Sequence, residues 1–212
     1  WKNFKKGLSQ RNALLKLQRF EQLAVWDNQI HHYGTLVHGL RKTYVDHFSK
    51  ILQTTVHYFL PMFEVSLTLF SGWDDKYDLL KNLRNDLNRD KRDGFTHSGP
   101  HRADFHIMVN GKLAKDVVSR GQLKLLIISL MLAQVQFYLK FNTEFGCVLI
   151  DDFSAELDFD NRQKVLEFIQ QMNCQSFITV TERNELGDLG IINDYKLFHV
   201  NQGQFFEKNC ST

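Results

Sequence analysis

From about Leu8 to Leu60, apolar residues recur at helical spacing, as in Leu14, Leu17, Phe20 and Leu23 and then Leu36, Leu40, Tyr44, Val45 and Phe48. No proline interrupts this stretch, so it predicts two long helices ended by Pro61. Phe63, Val65, Leu67 and Leu69 then alternate with Glu64, Ser66 and Thr68, the pattern of a half-buried strand. A polar helix is expected from Trp73 to about Lys91. After Gly94 the texture changes. His106–Val109 and Leu113–Val118 flank Asn110-Gly111, a pair suited to the tight turn of a hairpin. An apolar helix from Gly121 to about Tyr138 precedes the short run Cys147–Ile150, whose unbroken apolar character predicts a sheet covered on both faces. A helix over 161–171 and a strand over Phe177–Val180 complete a β-α-β unit and imply a parallel pair. Leu197–Val200 and Gln204–Glu207 read as a closing hairpin.

This order of elements makes the chain an α/β protein, expected to divide into residues 1–93, mostly helical, and residues 94–212, which hold the parallel sheet. Its 212 residues are 43% apolar and 24% charged with only two prolines, which excludes a disordered or turn-dense all-β chain. Apolar runs are read as falling short of the ~18 residues a bilayer span needs, and with no charged-then-apolar leader a soluble, cytoplasmic protein is expected. Cys147, Cys174 and Cys210 supply neither a disulfide framework nor a metal spacing. The first residue is Trp1, and the expectation is that the native start lies upstream. Lys and Arg outnumber Asp and Glu by 15 to 10 through Asp93 and fall behind by 11 to 14 after it. Six cations and no acid lie in the first 19 residues. That stretch either meets a polyanion or is simply a solvated helix face.

Chemistry concentrates in Cys147-Val-Leu-Ile-Asp-Asp-Phe-Ser-Ala-Glu-Leu-Asp158. Two carboxylates at the end of a buried strand repel each other and lose hydration, which is reasonable if a cation sits between them and a ligand. The plain alternative is a strand ending in solvated acids, with Asp160 capping the next helix and Gln163 at the reciprocal position. Ser119-Arg120-Gly121-Gln122 heads the apolar helix. Ser and Gln form a capping box, but Gly121 costs helix stability of up to ~1 kcal/mol against Ala, and it lets an anion approach the backbone amides. His97 and His101 flank a Ser-Gly-Pro loop, so surface or loop histidines are the better reading than a metal pair. Cys147 is expected to be a core thiol and the Leu125–Leu139 stripe to be core packing.

The Ser-x-Gly-Gln start, followed roughly 30 residues later by four apolar residues, two acids and Ser-x-x-Leu-Asp, is the layout of an ABC-type ATPase head. Gln10-Arg11-Asn12-Ala13-Leu14-Leu15 with Trp26-Asp27, Gly99-Pro100-His101-Arg102-Ala103-Asp104, and Ser119–Lys124 occur in the order found in the RecF family of bacterial recombination mediators, which the chain resembles over essentially its whole length. The resemblance implies an SMC-like ABC ATPase head, present as its C-terminal part, carrying an α-helical lobe. It also implies an ATP-dependent homodimer on gapped or junction DNA that works with RecO and RecR to load RecA, within DNA replication, recombination and the SOS response. By position, Asp151 would hold Mg²⁺ through water and Asp152 would orient the attacking water. Ser119, Arg120, Gly121 and Gln122 would be the signature facing ATP on the other protomer, and Ser154 to Asp158 the D-loop. Thr181 falls at the switch position, where many ABC proteins have His, and Ala103 where many relatives have an acid. Lys5, Lys6, Arg11 and Lys16 are the candidate DNA contacts. No G-x-x-x-x-G-K-[S/T] motif occurs, so weak ATPase chemistry is expected only in a complete dimer, and ATP with Mg²⁺ is not expected to bind this chain well. A non-catalytic DNA- or partner-binding module is the alternative.

Overall fold

The proline-free start of the chain folds into α1 (Lys2–Lys16) and α2 (Leu23–Phe59), joined through a 3-10 turn at Phe20–Gln22. The structure, a computed structural model, describes residues 1–142, 146–154, 157–172, 174–192 and 194–208. Helix α1 buries Phe4, Gly7, Arg11 and Leu15, one stripe at three- and four-residue spacing. Strand β1 (Val65–Phe70) alternates as expected. After it, the helix expected from Trp73 begins only at Leu79, because the Asn82 carboxamide organises a loop instead. Its Nδ2 donates to the carbonyls of Asp74, Tyr77 and Asp78 at 3.0, 3.2 and 2.9 Å. Asp78 then caps α3 (Leu79–Asn85), accepting from the Lys81 amide at 2.7 Å. Helix α4 (Leu87–Asp93) stops at Gly94, whose φ of 74° is the left-handed cap that glycine adopts without strain.

Strand β2 (Asp104–Val109) pairs antiparallel with β1, Val65 opposite Val109 and Phe70 opposite Asp104, and then with the two-residue β3 (Lys112–Leu113). The expected second hairpin strand ends there and the chain enters α5 (Ala114–Val117). Ala, Lys and Asp at 114–116 are poor strand formers, so the short β3 follows from composition. Two compact units result, one of residues 1–57 and 62–118, the other of 58–61 and 119–212. Pairing with β1 places β2 in the first unit, and Val118 is the last residue of that unit.

The core of the first unit is Phe4, Ile30, Leu79 and Leu83, with Leu8, Tyr33 and Trp73 against it. Beside it lies a buried polar node. Arg11, fully buried, donates from Nε to Asp27 at 2.6 Å and from Nη1 to Asp90 at 2.6 Å and Thr96 at 2.8 Å. Asn12 accepts from the amide and hydroxyl of Thr96, and Asp90 accepts the His97 amide. Gly72, at φ 91°, packs its α-carbon so close to Gly99 and Ala103 that a Cβ would strike their backbone.

The second unit contains α6 (Arg120–Phe141), β4 (Gly146–Ile150), α7 (Phe159–Gln170) and β5 (Cys174–Ile178), followed by 3-10 turns at Arg183–Leu186 and Leu189–Ile191. Strands β6 (Leu197–Asn201) and β7 (Gln204–Lys208) close it as an antiparallel hairpin. Strands β4 and β5 are parallel, Gly146 opposite Cys174 and Ile150 opposite Ile178. The molecule is thus a mixed α/β protein with a small parallel sheet.

Three sequence expectations change in this unit. The sheet is not covered on both faces: Val148 is buried, while Leu149 and Phe177, paired on the opposite face, are 69% and 51% exposed. Cys147 lies on that bare face and is not a core thiol. Helix α6, at 22 residues, is long and apolar enough to cross a bilayer, contrary to the reading of the sequence. It nevertheless buries Leu125, Leu126, Ile128, Leu132 and Ala133, while the side bearing Ile127, Met131, Tyr138 and Phe141 stays exposed. Between that side and β4 runs a groove of about 650 Å³.

Candidate functional site

Strand β4 delivers Asp151 and Asp152 to the carboxyl end of the parallel pair, where α/β sheets bind ligands. Both acids are exposed. Asp152 adopts φ 50°, a left-handed conformation that costs a residue with a Cβ about 1–2 kcal/mol and tends to mark functional positions. Four contacts hold the turn. The Asp152 amide donates to Thr179 Oγ1 at 3.0 Å, and the Asp152 carbonyl accepts from Lys124 Nζ at 3.1 Å. The Phe153 amide donates to the Thr179 carbonyl at 3.0 Å, and the Phe153 ring is fully buried. The hydroxyl of Thr179 in turn donates to Asp151 Oδ1 at 2.5 Å.

Helix α6 begins with the capping box read from sequence. The Gln122 amide donates to Ser119 Oγ at 3.3 Å and the Ser119 amide to Gln122 Oε1 at 2.9 Å. With Gln122 occupied in this way, Arg120 and Gly121 occupy the first turn at the positive end of the helix dipole. Lys124, about one turn further on, links this helix start to the acid loop through Asp152.

Ser154 donates from Oγ to Glu185 Oε2 at 3.0 Å, and the same oxygen accepts the amides of Thr181 and Glu182 at 3.1 and 3.0 Å. The Glu182 amide, the Ser154 hydroxyl, the Thr181 amide and the nearby Arg162 cation together hold the Glu185 carboxyl below the usual carboxylate range. Asp158 caps α7: its Oδ1 accepts the Asn161 amide at 2.8 Å and its Oδ2 the Asn161 side chain at 3.0 Å. The cap is therefore Asp158 and not Asp160. Residues 155 and 156 of the expected D-loop, and Cys210, lie outside the described residues.

The second unit thus forms two adjacent sets of contacts, one joining Asp151 and Asp152 to the head of α6 through Thr179 and Lys124, the other joining Ser154 to Thr181 through Glu185. Thr179, Lys124 and Glu185, which join these sets, were given no role from sequence. Thr179 carried a signal, as a hydroxyl residue within the apolar run Phe177–Val180. Glu185 carried none, since its value lies in a turn that pattern does not specify.

The expected DNA contacts lie in the first unit. Lys5, Lys6 and Lys16 are exposed, with Lys5 Nζ 5.5 Å from the Trp1 ring centre. Arg11 is a correction: sealed among Asp27, Asp90 and Thr96, its guanidinium has no surface to offer a phosphate. His97 and His101 are loop residues, as read, and both are half-buried. His97 faces Asp90 and Asp93 at 2.7 and 3.1 Å. His101 Nε2 meets the Thr96 carbonyl at 3.0 Å, and Arg102 lies over the Phe95 ring at 5.4 Å.

No family model matches the chain. RecF of Vibrio campbellii is 35% identical over 205 residues, 96% of this chain and 57% of that protein. RecF of Shewanella woodyi is 37% identical over 204 residues, 96% of this chain and 56% of that protein. The chain is a RecF homologue. It spans little more than half the length of these relatives and corresponds to their C-terminal part. Two solved structures of the recombination mediator RecF in the RecFOR pathway, RecF-ATP and RecF-ATPrS, superpose with TM-scores of 0.80 and 0.76 at 21% identity. Each alignment covers 97% of this chain and 57% of the other. At that identity the likeness establishes the fold of the homologue.

Proposed function

We propose that this RecF homologue contributes one part of an ATP-dependent DNA-repair ATPase, with the second unit as the C-terminal part of an ABC-type head and the first as the helical lobe. The observation that carries this reading is the left-handed Asp152 turn at the end of β4, tied by Lys124 to the helix that starts at Ser119–Gln122. In this reading Asp151 is the carboxylate for Mg²⁺ and Asp152 orients water. Ser119, Arg120, Gly121 and Gln122 face the γ-phosphate of ATP held by a second protomer, Ser154 and Asp158 belong to the D-loop, and Thr181 occupies the switch position.

The residues fit Mg²⁺ in the manner that metal usually takes. It needs one or two carboxylates beside phosphate and water oxygens, and among the described residues no cluster of three or more candidate ligands forms a protein cage. Bound there, Mg²⁺ would neutralise phosphate charge. The chain's own part is to hold Asp151 and Asp152 at fixed positions and to present the amides of the first α6 turn to an anion. The phosphate-cradling loop would come from sequence outside this chain, which agrees with the share of each relative that it covers.

The proposed setting is duplex or gapped DNA, met through Lys5, Lys6 and Lys16, with RecO, RecR and RecA in the same pathway. The test is light scattering of the complete protein with and without ATP. Ser119→Arg places bulk where a partner's phosphate would approach, so ATP-driven dimers are lost while nucleotide affinity of the monomer survives. Asp152→Asn keeps the shape and removes a charge, so dimers form and persist. A Ser119→Arg protein that dimerises normally with ATP refutes the cross-protomer site.

A further inference from the structure

We infer that Thr179 is the positioning residue of the acid pair, through one hydroxyl that sets both the Asp151 carboxylate and the Asp152 backbone. A hydroxyl has one proton to give and lone pairs to accept with. Here the Asp152 amide donates into the oxygen at 3.0 Å, and the proton goes to Asp151 Oδ1 at 2.5 Å. One carboxylate oxygen is committed, and the plane of the other is fixed with it. The main chain of Thr179 repeats the grip. Its amide donates to the Ile150 carbonyl at 2.9 Å and its carbonyl accepts the Phe153 amide at 3.0 Å. One residue therefore bonds to each of residues 150, 151, 152 and 153, and only the side-chain half of that hold can be removed without touching the sheet.

This inference rests on the reading of Asp151 as the cation carboxylate. A carboxylate free to rotate presents its oxygen to a cation only part of the time, so loss of the hydroxyl should weaken cation binding more than nucleotide binding. Thr179→Val keeps the branched shape and deletes both hydrogen bonds. Thr179→Ser keeps both.

The experiment uses the complete protein with Mn²⁺ as the probe. Mn²⁺ affinity in the presence of ATP is read by electron paramagnetic resonance, ATP affinity without divalent cation by calorimetry, and amide exchange of the 150–153 segment by mass spectrometry. Thr179→Val is expected to weaken Mn²⁺ binding about tenfold, leave metal-free ATP affinity within twofold, and speed exchange of the Asp152 amide. Thr179→Ser should stay within threefold of the parent on all three measures. If Thr179→Val does not fold, Thr179→Ala carries the same expectation. Unchanged Mn²⁺ affinity in folded Thr179→Val, beside a clear loss in Asp151→Asn, overturns the role of Thr179 alone. Unchanged affinity in Asp151→Asn as well overturns the cation reading beneath it.

Discussion

Replacing Arg11 with Met tests whether this residue is a structural keystone or a DNA contact. The side chain is 0% exposed, as is that of Asp90, so truncation leaves a buried carboxylate whose strongest partner is gone. Breaking a buried pair by removing one member costs about 3–5 kcal/mol. The lower end applies here, because the His97 amide and ring still face Asp90 Oδ1 at 3.0 and 2.7 Å. With a urea slope of about 2 kcal/mol/M for a domain of this size, ~3 kcal/mol lowers the unfolding midpoint by roughly 1.5 M. The assay has a built-in reporter: the tryptophans, Trp1, Trp26 and Trp73, all lie in the first unit, so indole fluorescence follows that unit alone. Arg11→Lys should recover only part of the loss, since one ammonium cannot match the planar fork that reaches Asp27, Asp90 and Thr96 together. Arg11→Met combined with Asp90→Asn should be less destabilised than the sum of the single changes, because the orphaned charge is removed with its partner. A midpoint shift below about 0.3 M for Arg11→Met, with weakened DNA binding, would refute the structural account.

Two further outcomes follow from the first unit. With Arg11 excluded, Lys5, Lys6 and Lys16 changed together to Glu in the complete protein should weaken duplex binding and flatten the plot of log affinity against log salt by up to about 2.7, at ~0.9 per phosphate contact, while ATP affinity is unchanged; an unaltered slope moves the DNA surface elsewhere. Burial pushes the His101 imidazole below its ordinary value, an effect only partly offset by the Thr96 carbonyl. The unfolded chain therefore takes up the proton first, and this contribution to stability, whole above about pH 6.5, is lost as pH falls from there toward the lower folded value. Fluorescence-detected urea midpoints at pH 7.5 and 5.5 should show the decline, and His101→Asn should reduce it; an equal decline in the variant assigns it to other groups.

Much of the layout was legible because it rests on periodicity. Two proline-free helices, an alternating strand, a β-α-β unit and a closing hairpin are each repeated signals over several residues, and each formed close to where it was read. The misreadings have two causes, one in what lies across space and the other in local composition. Cys147–Ile150 reads as a strand buried twice over, but only Val148 is buried, and no run of residues records how many layers will cover it. Leu113–Val118 begins like a hairpin arm, but Ala, Lys and Asp divert it into a helical turn.

Residue roles were legible in a different way. Gln10–Leu15 with Trp26-Asp27 downstream reads as one segment of the resemblance, and the structure shows Arg11 and Asp27 as two ends of one ion pair, with Asp90 joining Arg11 from far along the chain. Burial in this ion pair gives Arg11 a sufficient role in folding, and a basic residue inside a motif is no guide to a nucleic-acid surface until its burial is known. Asp151 and Asp152 are the opposite case. They stay exposed, Asp152 holds a strained backbone, and Thr179, Lys124 and Glu185 are arranged around the loop they begin, though these residues add little to the core. Strain maintained at a surface turn by several independent contacts is hard to account for by stability alone, and the proposal of chemistry in the second unit rests on this asymmetry between an Arg11 buried in ion pairs and an exposed, constrained acid pair.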